Sequence, residues 1–195
     1  AIVIKDADGN DITANYTIML VDGTLTVEKA TTVLSEELLA SFSTNLVYDG
    51  TLHSITVTPP TLIGDATVTI RYSASSEGPF TEENPAYKDV KDNEEPYTVY
   101  FTLSSDNYNT YTNAATVTIT RRPVTLTSAS ATKTFDNTPL TAASDPTVTA
   151  GSWADGEGDV TFTMTGSQTV VGSSENTFDL TWSGTTKESN YNLTK

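Results

Sequence analysis

Tyr97, Val99, Phe101 and Leu103 are separated by Thr98, Tyr100 and Thr102, and Ala115, Val117 and Ile119 by Thr116 and Thr118. Alternation with a period of two predicts β-strands with one face buried. The Ser104-Ser-Asp-Asn107 cluster between the two runs is turn chemistry, and Asn107-Tyr108 opens the second arm. The element recurs. Asn15-Tyr16 leads into Gly23-Thr-Leu-Thr-Val27, and Phe178, Leu180 and Trp182 alternate ahead of Asn190-Tyr191. Further strands are predicted at Ala1–Ile4, Ile55–Val57, Val68–Tyr72, Val124–Leu126 and Phe162–Met164. Ser35-Glu-Glu-Leu-Leu39 reads as one helical turn with Ser35 as its N-cap.

Tyr48-Asp-Gly-Thr51 and Phe135-Asp-Asn-Thr138 are matching turns. Asp49 and Asp136 lie 87 positions apart by subtraction, Asn15 and Asn107 lie 92 apart, and Asn107 and Asn190 lie 83 apart. Near-equal intervals with variable loops predict tandem copies of one fold. Residues 1–29 read as the last strands of a preceding repeat, 30–121 as a complete β-sandwich repeat, and 122–195 as a second repeat lacking its final strand. The fold class expected is all-β, built of tandem Ig-like β-sandwich modules. A β-grasp module is the alternative, but it needs a substantial helix that the sequence does not offer.

Composition narrows the partners. Among the 195 residues, 25 are acidic and 10 basic, a net charge of −15. That field repels nucleic acid and anionic membranes. No apolar run is long enough to span a bilayer and no signal peptide is legible, so any targeting segment of an exported parent is expected outside this sequence. Cysteine is absent, which excludes disulfides and thiolate metal sites.

The candidate chemistry is sparse, and no catalytic residue, metal ligand or cofactor is assigned. Asp6, Asp8 and Asn10 alternate like the start of a calcium loop. Gly9 and Asp11 do not fit that pattern, and a hairpin turn is the simpler reading. Asp155-Gly-Glu-Gly-Asp159 reads as a flexible acidic loop. His53 is the sole histidine, beside no nucleophile elbow. No motif marks a carboxylate pair for glycoside hydrolysis. Trp153, Trp182 and Tyr100 have the chemistry to stack on sugars; Trp182 shares parity with the core, leaving Trp153 as the better platform. Lys133 is the least implausible donor for an isopeptide crosslink, although a snorkelling lysine is the simpler account. Arg121-Arg122 reads as a junction that pins neighbouring modules by ion pairs. Tyr108 is expected to wedge into the sandwich with its hydroxyl on a backbone group.

Tyr48-Asp-Gly-Thr-Leu-His-Ser-Ile-Thr-Val57 resembles the opening of the MBG/YDG-type repeats of large bacterial cell-surface, adhesin-like proteins. Asn15-Tyr-Thr-Ile18 with Asp22-Gly-Thr-Leu-Thr-Val-Glu-Lys-Ala30 resembles their closing motif, and residues 166–178 resemble a common internal segment. Phe135-Asp-Asn departs conservatively from Tyr-Asp-Gly. The resemblance implies extracellular, tandemly repeated, non-catalytic β-modules acting as a structural spacer. A ligand-binding module for host glycan, mucin or matrix protein is the alternative. The expected partners are therefore neighbouring repeats of the same polypeptide. An incomplete last repeat also suggests head-to-tail strand complementation between chains, in which burying Leu25 and Val27 gains about 1.5–3 kcal/mol each.

Overall fold

The computed structural model describes residues 1–63 and 67–195. Nine strands lie among them: β1 (Thr44–Val47), β2 (Thr69–Ser73), β3 (Tyr97–Ser105), β4 (Tyr108–Thr120), β5 (Arg122–Thr127), β6 (Thr147–Gly151), β7 (Val160–Met164), β8 (Phe178–Trp182) and β9 (Tyr191–Thr194). One six-residue helix, α1 (Glu36–Ser41), accompanies them, so the fold is all-β. Ser35 caps α1 as expected: its side chain accepts from the Leu38 N–H at 3.2 Å. No helix among the described residues is long and apolar enough to cross a membrane.

The first sheet has the order β1-β4-β3-β2. β3 and β4 form the expected antiparallel hairpin, with Val99 opposite Ala115 and Tyr97 opposite Val117. The period-two reading of both arms holds, since Val99, Phe101, Leu103, Ala115, Val117 and Ile119 are all buried. Leu34, Phe42, Ile55 and Val57 belong to the same apolar cluster, and Phe42 meets Phe101 edge to face at 5.7 Å. Truncating Phe101 to alanine would remove about 3–5 kcal/mol. β1 adds to the far side of β4 in parallel, Thr44 opposite Val117 and Leu46 opposite Ile119.

β4 ends at Thr120 and β5 begins at Arg122, with Arg121 alone between them. β5 is central in a second sheet, β6-β5-β9, where it runs parallel to β9 and antiparallel to β6. β7 and β8 pair separately, Phe162 opposite Leu180.

Several sequence expectations need correcting. Ala1–Ile4 and Thr24–Val27 form no strand: the first is tied across the following turn only at its end, where the Ile4 carbonyl accepts from the Ile12 N–H at 2.9 Å and Lys5 bridges Asp11, and the second makes no main-chain bond among the described residues. Ile55 and Val57 are buried, yet their segment is not paired into a sheet. β1 and β6 have weak alternation and were not predicted. Tyr191 onward forms β9, which joins β5 at that sheet's edge.

Candidate functional site

The densest polar arrangement lies where the first sheet meets the chain that follows it. The parallel pairing of β1 carries Tyr48 past the end of β4, where its N–H donates to the Thr120 carbonyl at 2.9 Å. Tyr191 opens β9, and the two rings meet edge to face at 5.6 Å. Both hydroxyls converge on Glu157. Tyr48 donates to Oε1 at 2.5 Å and Tyr191 to Oε2 at 2.7 Å. The Glu157 side chain is only 3 % exposed, and the Lys88 ammonium lies 3.8 Å from Oε1. Burial, followed by the hydrogen bond to Glu157, pushes the Tyr191 phenol up to about 12. The same causes in the same order raise Tyr48. The Glu157 carboxylate thus bridges two phenols and is faced by a lysine, and it clamps Tyr48 to Tyr191.

The loop carrying Glu157 is built for that position. The Glu157 N–H donates to the Ala154 carbonyl at 3.0 Å, and the Ala154 N–H donates to the Tyr191 hydroxyl at 3.0 Å. Gly158 and Asp159 donate their N–H groups to Thr186 Oγ1 at 2.9 and 3.2 Å. A side chain at Gly158 would strike the Trp153 ring at 2.8 Å, so glycine is what lets loop and indole approach. The reading of residues 155–159 as a flexible acidic loop is therefore corrected: two glycines deliver the middle acid into the interior.

A second cluster flanks the clamp. Asn190 is fully buried; its Oδ1 accepts from the Val90 N–H at 2.8 Å, and its Nδ2 donates to Asp89 Oδ1 at 2.8 Å. Lys187 Nζ reaches Asp89 Oδ2 at 2.6 Å. Burial raises the Asp89 carboxyl, but the bonds from Lys187 and Asn190 outweigh it and the net direction is down. Arg121 and Arg122 do join the two sides, and among the described residues they do so through hydrogen bonds to carbonyls rather than ion pairs. Arg122 donates to the carbonyls of Tyr48 at 3.2 Å and Ser152 at 2.6 Å, and to Ser152 Oγ at 2.7 Å. Arg121 Nε donates to the Ser189 carbonyl at 3.1 Å. A guanidinium fork suits carbonyls at the end of a sheet as well as it suits carboxylates.

The remaining candidates lie apart from this seam or within its packing. Trp153 is engaged, its ring edge-on to Tyr191 at 5.0 Å and to Trp182 at 5.9 Å. Trp182 stacks on Tyr191, and Tyr100 is half-buried in β3. His53 Nε2 contacts both Asp49 Oδ1 at 2.8 Å and Thr51 Oγ1 at 3.0 Å. A relay needs acid and nucleophile on opposite ring nitrogens, so this is a turn clasp. Asp6 accepts from the N–H groups of Asp8 and Asn10 and from the Asn10 amide, which makes the N-terminal acidic loop a hairpin turn. Lys133 Nζ is held by Asp136 Oδ1 at 2.7 Å and by the Thr138 carbonyl at 2.6 Å. The Tyr108 hydroxyl does meet a backbone group, accepting from the Ile63 N–H at 3.0 Å, while its ring is only half-buried and lies outside the apolar core.

Glu157, Asp89 and the burial of Asn190 were not legible beforehand. The one signal was Glu157 between two glycines, a spacing that also suits a solvated loop.

A groove of about 820 Å³ lies in the C-terminal region, between residues 126–135 and residues 166–178. Leu126, Leu140 and Phe178 supply apolar lining, and Lys195 sits over the Phe178 ring at 5.1 Å. No family model, no curated protein and no solved structure matches the chain.

Proposed function

We propose that this chain is a structural spacer: a run of β-sandwich modules, related to the MBG/YDG-type repeats, from a bacterial cell-surface, adhesin-like protein. Residues 30–121 and 122–195 are two such modules, and residues 1–29 close a preceding one. Three repeated geometries support that division. Asp49 Oδ1 accepts from the Thr51 N–H at 2.9 Å and Oγ1 at 2.9 Å; Asp136 Oδ1 accepts from the Thr138 N–H at 2.9 Å and Oγ1 at 2.8 Å. Tyr108 and Tyr191 each accept a loop N–H at 3.0 Å, from Ile63 and Ala154. Ala30 bridges Tyr108 in parallel, as Arg122 pairs in parallel with Tyr191.

The observation that carries the spacer reading is the seam. Its buried carboxylate, buried Asn190 and paired arginines join two modules far more tightly than a short polar linker does. Such a joint transmits orientation and tension along the chain. The reading of a glycan- or matrix-binding module rested on Trp153, whose ring is used in packing. Backbone ¹⁵N relaxation tests the proposal: both modules should report one common tumbling tensor. Independent tumbling of the two would remove the basis for a stiff spacer.

A further inference from the structure

Ala30 lies beside the first residue of β4, and the chain leaves the first sheet at the last, Thr120. The Ala30 N–H donates to the Asn107 carbonyl at 3.0 Å, and the Ala30 carbonyl accepts from the Asn109 N–H at 2.8 Å, a parallel bridge centred on Tyr108. The Asn109 amide adds a bond to Thr31 Oγ1 at 3.2 Å. At the far end of β4, β1 lies parallel to it over Thr44–Val47, and the Tyr48 N–H donates to the Thr120 carbonyl at 2.9 Å. Side chains fasten the same stretch. Thr120 Oγ1 donates to the Leu46 carbonyl at 3.2 Å, and the Thr116 N–H donates to Ser43 Oγ at 3.1 Å. The chain from 31 to 107 is therefore an excursion that leaves β4 at its first residue and returns there.

Direction decides what such contacts can bear. In a parallel pair, tension on the N-terminal end of one strand and the C-terminal end of the other slides the two past each other. The ladder bonds lie across that line and are loaded together. In a pair pulled apart from one end, the bonds lie along the line and break one at a time. Tension entering before Ala30 and leaving after Thr120 meets the first arrangement twice, at Ala30 and at β1. The seam strengthens the second of these. Arg122, just beyond Thr120, donates to the Tyr48 carbonyl at 3.2 Å, and Glu157 holds the Tyr48 hydroxyl.

We propose that Ala30 and β1, both laid parallel on β4, form a mechanical clamp. It carries tension along β4 in shear and shields the chain between 31 and 107 from it. The clamp deepens the spacer reading and rests on it for its use, but the two fail separately. Modules that tumble independently would end the stiff spacer and leave the clamp, whereas a β4 that peels easily would end the clamp and leave the seam stiff. Failure of the clamp frees a fixed length. The 90 residue steps from Ala30 to Thr120 extend to about 300–320 Å at most, against about 40 Å along β4, so release lengthens the chain by about 270 Å.

Optical-tweezer unfolding of the full chain from two pairs of handles tests this. The chain has no cysteine, so thiol handles go only where they are introduced. Lys29→Cys with Thr127→Cys pulls along β4, and Lys29→Cys with Asp106→Cys opens the same bridge from its end. All three residues are exposed. Forced unfolding reports the barrier along the direction pulled, so one folded state can show two strengths. The first pair should give a single event of about 270 Å, at a force several-fold above the first rupture of the second pair. Ala30→Pro deletes the N–H that bonds Asn107 and should lower the force along β4 with little change in the urea midpoint. Equal forces in the two directions overturn the proposal, as does lengthening along β4 that arrives gradually. An Ala30→Pro chain as strong as its parent, or weakened only in step with its urea midpoint, overturns it too.

Discussion

Asp49 and Asp136 close the same turn, and each side-chain oxygen that does so has a third, basic partner: His53 for one, Lys133 for the other. The aromatic before each aspartate has the opposite fate. Tyr48 is 0 % exposed and Phe135 is 56 % exposed. Local chemistry is therefore sufficient to form the turn and insufficient to bury its aromatic. Tyr48 is buried because β4 flanks β1 and because Tyr191 and Glu157 come up against it from the C-terminal half of the chain. Phe135 has neither neighbour. Burial here is conferred by what packs against the turn from distant parts of the chain, and not by the turn itself.

The sharpest way to break this comparison is to truncate both rings. Tyr48→Ala should cost about 3–5 kcal/mol, the range for deleting a buried aromatic. Phe135→Ala should fall within about 0.5 kcal/mol in a monomeric sample, as exposed substitutions do. Urea unfolding of the two variants checks this, and equal losses would mean that Phe135 is buried in solution.

Glu157 is the next lever, since it touches only the Tyr48 side. Glu157→Ala leaves two buried hydroxyls without an acceptor, at about 1–3 kcal/mol each. Glu157→Gln retains one acceptor and should lose roughly half as much. The relaxation measurement should show the modules of Glu157→Ala tumbling separately while each sheet stays folded. If the alanine variant keeps a single tumbling tensor, the arginine bonds and the Asn190 cluster hold the seam without the clamp.

Stability against pH separates the turns from the seam by sign. Asp49 is raised by burial but lowered more by His53 and Thr51, to about 2 against an ordinary 3.8. Its contribution is present above pH 3.8 and is lost as pH falls toward 2. Asp136 is also lowered, chiefly by Lys133, so the acid limb is common to both turns. The alkaline limb belongs to the buried tyrosines, Tyr48 and Tyr191 of the seam together with Tyr72, Tyr87 and Tyr97, all raised first by burial. Tyr191, raised from 10.0 to about 12, contributes stability that is complete below pH 10 and disappears between pH 10 and 12. The urea midpoint should fall across that window in the parent chain and fall less in Tyr191→Phe.

The β3–β4 hairpin, the Ser35 cap and the matching turns were legible because each depends on residues close in sequence. The hydroxyl role of Tyr108 was legible by the same means. The seam was not. Asp89 and Asn190 lie 101 positions apart and Tyr48 and Glu157 lie 109 apart, and no local pattern distinguishes a carboxylate that two phenols will bury from one that water will solvate. The parallel pairing of β1 escaped for a related reason. Four residues containing Asn45 carry little alternation, and that strand exists because β4 has a free edge.

The smallest effect isolates the seam from the turn itself. Gly50 and Asn137 occupy the same position of the two turns, at φ +81° and +62°. Both conformations lie in the left-handed region, which glycine adopts freely and asparagine tolerates. A side chain at residue 50 also meets Ala154 Cβ at 3.2 Å, closer than ordinary contact. Gly50→Asn should therefore cost about 1 kcal/mol or more, from backbone strain and crowding together. Asn137→Gly faces open solvent and should change stability by less than about 0.5 kcal/mol. Adding Ala154→Gly to Gly50→Asn should recover the crowding share and leave the backbone share. If the second substitution recovers nothing, the glycine of the first turn is set by its φ alone, and the approach of Ala154 places no demand on it.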